Sequence, residues 1–154
     1  MSRHAARIEW IRQSDDFSYK TYDRNHSWHF EGGEVVNASA APAYFGDDAR
    51  IDPEEALVAS LSSCHMLTYL ALAAYKGFVV DKYVDKADGV LEKNEDGKLA
   101  ITKVTLRPDI SYSGDKEPTE EEIKSMHEKA HKECFIANSV KTEISVEHEG
   151  AVIA

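Results

Sequence analysis

Between Ala56 and Tyr75 the chain carries its most apolar segment, and the apolar residues there point in nearly every direction around a helix. With about 100° between successive side chains, Leu57, Val58, Leu61, Met66, Leu67, Leu70 and Leu72 leave no wide polar face. A helix of this kind must be enclosed on most sides. It is long enough to span a bilayer. However, Ser60, Ser62, Ser63, Cys64, His65 and Thr68 interrupt it and no second span follows. It therefore reads as the buried core helix of a soluble protein rather than a membrane segment. Asp52 is placed to cap it, Pro53 suits the first helical position, and Glu55 completes a capping box. Gly77, just after Lys76, is well placed to end it. A chain of 154 residues fits one domain, residues 1–154. Such a domain offers few elements to surround this helix, which points to a second copy of the chain.

The remaining elements follow from periodicity and punctuation. Ala6–Ile11 and Ser27–Glu31 read as short strands, and Gly32-Gly33 turns the chain toward Val35-Val36. Residues 38–51, with Pro42, Gly46 and paired aspartates, read as a loop. After the helix come two long strands, Phe78–Glu92 and Leu99–Tyr112, joined as a hairpin by Asn94-Glu95-Asp96-Gly97. A capping box from Thr119 to Glu122 opens a second helix whose inner stripe is Ile123, Met126, Ala130 and Cys134. Val140–Val146 alternates as a final strand. The order β-β-β-α-β-β-α-β predicts an α+β domain built on a long central buried helix, not a parallel α/β sheet.

The formal net charge is −10, and no Lys/Arg stripe is interleaved with aromatics. Nucleic-acid binding needs cations to displace counterions, so that class is disfavoured. The N-terminus MSRHAARIEW has no signal-like apolar run, which with the soluble composition predicts a cytoplasmic protein.

Two cysteines are too few for a disulfide scaffold or a zinc ribbon. Cys64 lies about three turns inside the apolar helix, and Cys134 sits on the inner stripe of the second. Taken singly, each is a small apolar core residue; taken together, two inward thiols on two helices can meet as a redox pair. Cys134, near a helix C-terminus, is disfavoured as a thiolate by the helix dipole, so Cys64 is the better nucleophile if a cation is near. A metal site is the rival reading, with Cys64, His65, His131 and Cys134 as ligands. His65 projects about 100° away from Cys64, which makes that set awkward. His4, His26, His29, His127 and His148 read as scattered and solvated. No nucleophile elbow, phosphate-binding glycine loop or HExxH pattern is present.

The run from Asp52-Pro53-Glu54-Glu55-Ala56-Leu57 to Ser63-Cys64 resembles the NPEEL…AAC segment of the OsmC/Ohr family of thiol peroxidases. Ala130-His131-Lys132-Glu133-Cys134 resembles that family's AHxxCP segment, and the spacing of the cysteines and the element order also suit it. Within the family the chain looks most similar to the YhfA-like branch. It departs from the better-known branches at Phe135, where proline is usual, and at His65, where apolar or aromatic residues are frequent. Tyr44 and Phe45 occupy the region where the osmotically inducible branch carries its active-site arginine.

The resemblance implies an intertwined homodimer with an OsmC-like fold and no metal or other cofactor. It also implies an organic hydroperoxide, or hydrogen peroxide, as substrate and an external dithiol as reductant. Cys64 would attack the peroxide and Cys134 would resolve the sulfenic acid to a disulfide. The family uses an arginine held by a glutamate; Glu54 matches the glutamate, and Arg24 is the first choice for the arginine, with Arg50 second. Ten residues of continuous helix hold Glu54 roughly 15 Å from Cys64. Either the helix breaks near Ala59-Ser60 or a partner subunit supplies Glu54 and the arginine, and the second option also accounts for the missing enclosure. The alternative function within the same fold is a non-catalytic dimer, a redox sensor or a small-ligand binding protein.

Overall fold

The computed structural model describes residues 1–154 and divides them into two compact units, Met1–Ala56 and Leu57–Ala154. The first unit holds an antiparallel sheet of β1 (Ala6–Glu9), β2 (His26–Phe30) and β3 (Val35–Ala38), in that spatial order. Gly33, at φ 90°, makes the turn between β2 and β3 that the paired glycines predict. The loop after β3 is more ordered than its composition implies. A 3-10 turn forms at Pro42–Tyr44, and Ala38 bridges to Ile51.

Gly46 closes this loop by lying against the chain's own backbone. A Cβ built there would fall 1.5 Å from the Ala40 carbonyl oxygen. That oxygen belongs to the backbone and cannot step aside as a flexible side chain would. Gly46→Ala is therefore expected to destabilise this unit by on the order of 3 kcal/mol, visible as a lowered thermal midpoint. An unchanged midpoint would mean that the loop relaxes freely.

The long helix, α1 (Pro53–Tyr75), begins at the end of the first unit and runs into the second. Its predicted capping box is present. The Glu55 amide donates to Asp52 Oδ1 at 2.7 Å, and the Asp52 amide donates to Glu55 Oε2 at 3.2 Å. Gly77 follows it at φ 82°. Of its side chains only Leu61, His65, Tyr69 and Ala73 are buried, one stripe at four-residue spacing. The expected enclosure is therefore not supplied by this chain: Leu67 remains 62% exposed and Tyr75 92%.

In the second unit the predicted long hairpin is present, but each of its strands is split. β4 (Val79–Asp85) pairs with β7 (Pro108–Ser113), while β5 (Asp88–Lys93) pairs with β6 (Leu99–Leu106). The reason lies at the junction. Pro108 has no N–H to continue the ladder, and Arg107 turns aside to engage Asp85, Asp88 and Glu147. The Asn94–Gly97 turn forms as predicted, with Asn94 Oδ1 accepting from the Asp96 and Lys98 amides at 3.0 Å.

β8 (Glu143–His148) lies parallel to β6, starting later than the predicted Val140, and β9 (Ala151–Val152) completes that sheet. Between β7 and β8 stands α2 (Glu120–Glu133), opened by the predicted Thr119–Glu122 capping box. Two apolar clusters hold the unit together: Tyr69, Ala73, Phe78, Met126 and Ala130, and separately Leu61, Val104, Leu106 and Val146. The architecture is α+β, as the element order implies.

Candidate functional site

Cys64 sits on α1 beside the buried stripe, one residue before His65, and is half-buried. Cys134 is the residue that ends α2, with extended backbone at φ −67° and ψ 115°, and is only 1% exposed. The two thiols are free and near enough to act on each other. A short 3-10 turn after α2, Ala137–Ser139, brings the Ala137 amide 3.4 Å from Cys134 Sγ, to which it donates. Burial, and then the neighbouring Cys64 thiol, push the Cys134 thiol above its usual pKa. The amides of Ala137 and Ile136 pull the other way but do not prevail. No cation is among the groups acting on this sulfur. Burial thus favours the protonated thiol at Cys134, the same direction that the helix-dipole argument gave from sequence.

The first unit contains a separate feature, a cavity of about 670 Å³ whose lining includes Trp10, Phe17, Tyr22, Tyr44, Arg24 and Glu54. Trp10, Phe17 and Tyr22 pack edge to face or tilted, with ring centroids 5.2–6.3 Å apart. The Arg24 guanidinium lies 4.0 Å from the Tyr22 ring centroid and 5.1 Å from that of Phe45. It donates to the carbonyl oxygens of Tyr22 at 2.8 Å and Tyr19 at 2.5 Å. Arg24 and Glu54, both half-buried, share this cavity without an ion pair between them. Arg50, the second choice from sequence, has its Nε 3.3 Å from Asp47 Oδ2 and faces a different, smaller cavity.

A family model described as OsmC-like protein matches residues 46–149. The chain belongs to the OsmC-like family. It is 47% identical to an OsmC-like protein of unknown function from Vibrio cholerae O1 biovar eltor. That match covers 96% of this chain and 99% of the other, with a TM-score of 0.92. The fold is also shared with an organic hydroperoxide resistance protein from Elizabethkingia anophelis, at 19% identity and a TM-score of 0.70, covering 95% and 93% of the two chains. A Legionella pneumophila organic hydroperoxide resistance protein OsmC matches at 17% identity and a TM-score of 0.67, covering 96% and 95%. No curated protein matches.

Two alternatives weighed from the sequence drop out, and one expectation changes, once the geometry of this OsmC-like chain is known. α1 is unbroken from Pro53 to Tyr75, so the break considered near Ala59-Ser60 does not occur. No three of its His, Cys, Asp or Glu side chains are arranged to hold a metal ion, so the set Cys64, His65, His131 and Cys134 is not assembled as one. His127, read from sequence as solvated, is fully buried; of the five histidines read that way only His4 is exposed.

His127 Nδ1 lies 2.9 Å from His65 Nε2, the two rings stack with centroids 5.2 Å apart, and Tyr69 stacks on His127 at 4.2 Å. Its own Nε2 is buried without a partner. The sequence did carry a signal for this burial. His127 follows Ile123 by four residues and precedes Cys134 by seven, so it lies on the inner stripe. His65 likewise sits midway between Leu61 and Tyr69.

Proposed function

We propose that this protein is a cysteine-dependent peroxidase that reduces organic hydroperoxides, and also hydrogen peroxide, through a Cys64–Cys134 thiol/disulfide cycle. The observation that supports it most is the reduced thiol pair, close enough to act on each other, with burial raising the pKa of Cys134. The Cys64 thiolate attacks the distal oxygen of the peroxide. The O–O bond breaks, the departing alkoxide takes a proton and leaves as alcohol, and Cys64 becomes a sulfenic acid. The Cys134 sulfur then attacks the Cys64 sulfur, the hydroxyl leaves with the thiol proton as water, and a disulfide remains. An external dithiol reopens it, and the cycle needs no cofactor.

A thiolate in an apolar site needs a cation. Arg24 is our choice, with Glu54 as its neighbour, both acting on the Cys64 of a partner subunit in a homodimer. Two features support that arrangement. Along an unbroken helix Glu54 stands about 15 Å from the Cys64 of its own chain, and α1 leaves apolar side chains such as Leu67 uncovered. A reducing compartment such as the cytoplasm suits a cycle that depends on free thiols.

The test is stopped-flow oxidation of the reduced protein by cumene hydroperoxide and by hydrogen peroxide, wild type against Cys64→Ser. Wild type is expected to form the disulfide with both oxidants, and faster with the organic one. Cys64→Ser should form none. Equal consumption of peroxide by the two proteins would rule out the enzyme reading. A disulfide that forms but no dithiol reopens would favour a redox sensor.

A further inference from the structure

Two buried imidazoles on the helices that carry the two thiols take no part in the proposed thiol/disulfide cycle. His65 directly follows Cys64 on α1, and His127 lies two turns before Cys134 on α2. They are 1% and 0% exposed and share the hydrogen bond that ties one helix to the other. The remaining packing between these helices is apolar or aromatic: Tyr69 and Ala73 of α1 cluster with Met126 and Ala130 of α2. Such contacts tolerate sliding and small rotations, because dispersion and burial have little directionality. A hydrogen bond does not, since it weakens steeply with distance and angle.

We propose that His65 and His127 are positioning residues whose hydrogen bond clamps α1 to α2 in the register that keeps Cys64 and Cys134 within disulfide reach. The pair and the thiols form two contacts between the same chain segments. On α1 they belong to adjacent residues, so a slide of α1 along α2 that breaks one contact also shifts the other. Disulfide formation tolerates little error, since the two Cα atoms must lie within about 7 Å with their Cβ atoms facing. Burial holds both imidazoles neutral at ordinary pH, pulling His65 down to about 4 and His127 to about 3. The clamp is therefore a neutral hydrogen bond between one ring's N–H and the other's lone pair. It acts on the second, resolving step, and in that respect it rests on the peroxidase reading.

The closing experiment does not depend on peroxide. Wild type, His65→Leu/His127→Leu and His127→Asn are equilibrated with oxidised and reduced glutathione, and the effective concentration of the Cys64–Cys134 disulfide is read from the thiol titre. The protein dithiol is oxidised as one glutathione disulfide is reduced to two thiols, so the equilibrium is balanced. Replacing both members of a buried polar pair with apolar groups leaves nothing unsatisfied. The double variant is thus expected to melt at or above the wild-type temperature, while its effective concentration falls by about tenfold or more.

His127→Asn places an amide where Nδ1 stood and is expected to restore most of it. With cumene hydroperoxide, the same double variant should form its sulfenic acid, trapped by dimedone, within about twofold of the wild-type rate, yet close the disulfide about tenfold more slowly. The clamp is overturned if the double variant keeps wild-type effective concentration, if it fails to fold, or if asparagine does not rescue. Should wild type equilibrate normally with glutathione but ignore peroxide, the peroxidase reading fails and the clamp stands.

Discussion

Mixing two inactive proteins, Cys64→Ser and Arg24→Leu, is expected to restore about a quarter of wild-type peroxidase activity after subunit exchange. Under the proposed cross-subunit arrangement, each homodimer alone lacks a required group at both of its sites. In a two-fold heterodimer with sites built across the interface, one site receives both defects and the other receives none. Random exchange makes about half the dimers mixed, and half of their sites are intact.

If instead each site drew all its residues from one chain, both sites of the heterodimer would be defective and no activity would return. The expectation follows from α1, an unbroken rod that holds Glu54 and Cys64 apart while exposing apolar side chains that one chain does not cover. Glu54→Gln in place of Arg24→Leu should complement in the same way. Activity is read with cumene hydroperoxide and dithiothreitol before and after exchange. No gain on mixing, with exchange verified by mass, would remove the cross-subunit arrangement.

Acid is expected to weaken this protein before most of its carboxylates titrate. Burial pulls His65 down to about 4, helped by nearby His131, and pulls His127 to about 3, helped by His65 and His148. In the unfolded chain both return to near 6.5. Between these values the unfolded state binds two protons that the native state refuses, so stability rises with pH and is lost as pH falls. The full stabilisation is present above about pH 6.5, and the slope below it approaches ~2.7 kcal/mol per pH unit.

From pH 7 to pH 5 the loss is on the order of 3 kcal/mol, in a window where most Asp and Glu remain ionised. Urea midpoints at pH 7, 6 and 5 measure it. The His65→Leu/His127→Leu chain should be nearly flat over the same range. A parallel fall in both proteins would assign the acid sensitivity elsewhere.

Much of the fold was legible because its signals are local. Asp52-Pro53 with Glu55, and Thr119 with Glu122, mark helix starts by hydrogen bonds within a few residues, and both capping boxes form. Gly77 acts through backbone conformation, and the Asn94–Gly97 turn through the positive φ of Gly97 and the Asn94 side chain, all within a few residues. The split of the long hairpin was half legible. Pro108 announces a break in one strand, whereas Asp85 and Asp88 turn the other only by meeting Arg107, and that meeting is tertiary.

The candidate site divides along the same line. Periodicity alone put Cys64 and Cys134 on inward-facing helix surfaces, and the all-round apolar character of Ala56–Tyr75 already implied that one chain would not suffice. Only the tertiary structure decided that the two thiols lie near enough to act on each other, that Arg24 rather than Arg50 shares a cavity with Glu54, and that His127 is a buried partner of His65. The difference is physical. A cap, a turn or an apolar stripe is set by residues a few positions apart, and any sequence window contains its whole cause. A hydrogen bond between side chains 62 residues apart depends on how two helices pack, which no window contains. The helix that most constrained this chain at the outset remains its least satisfied element: the sequence made it apolar on every side, and the fold of one chain buries a single stripe of it.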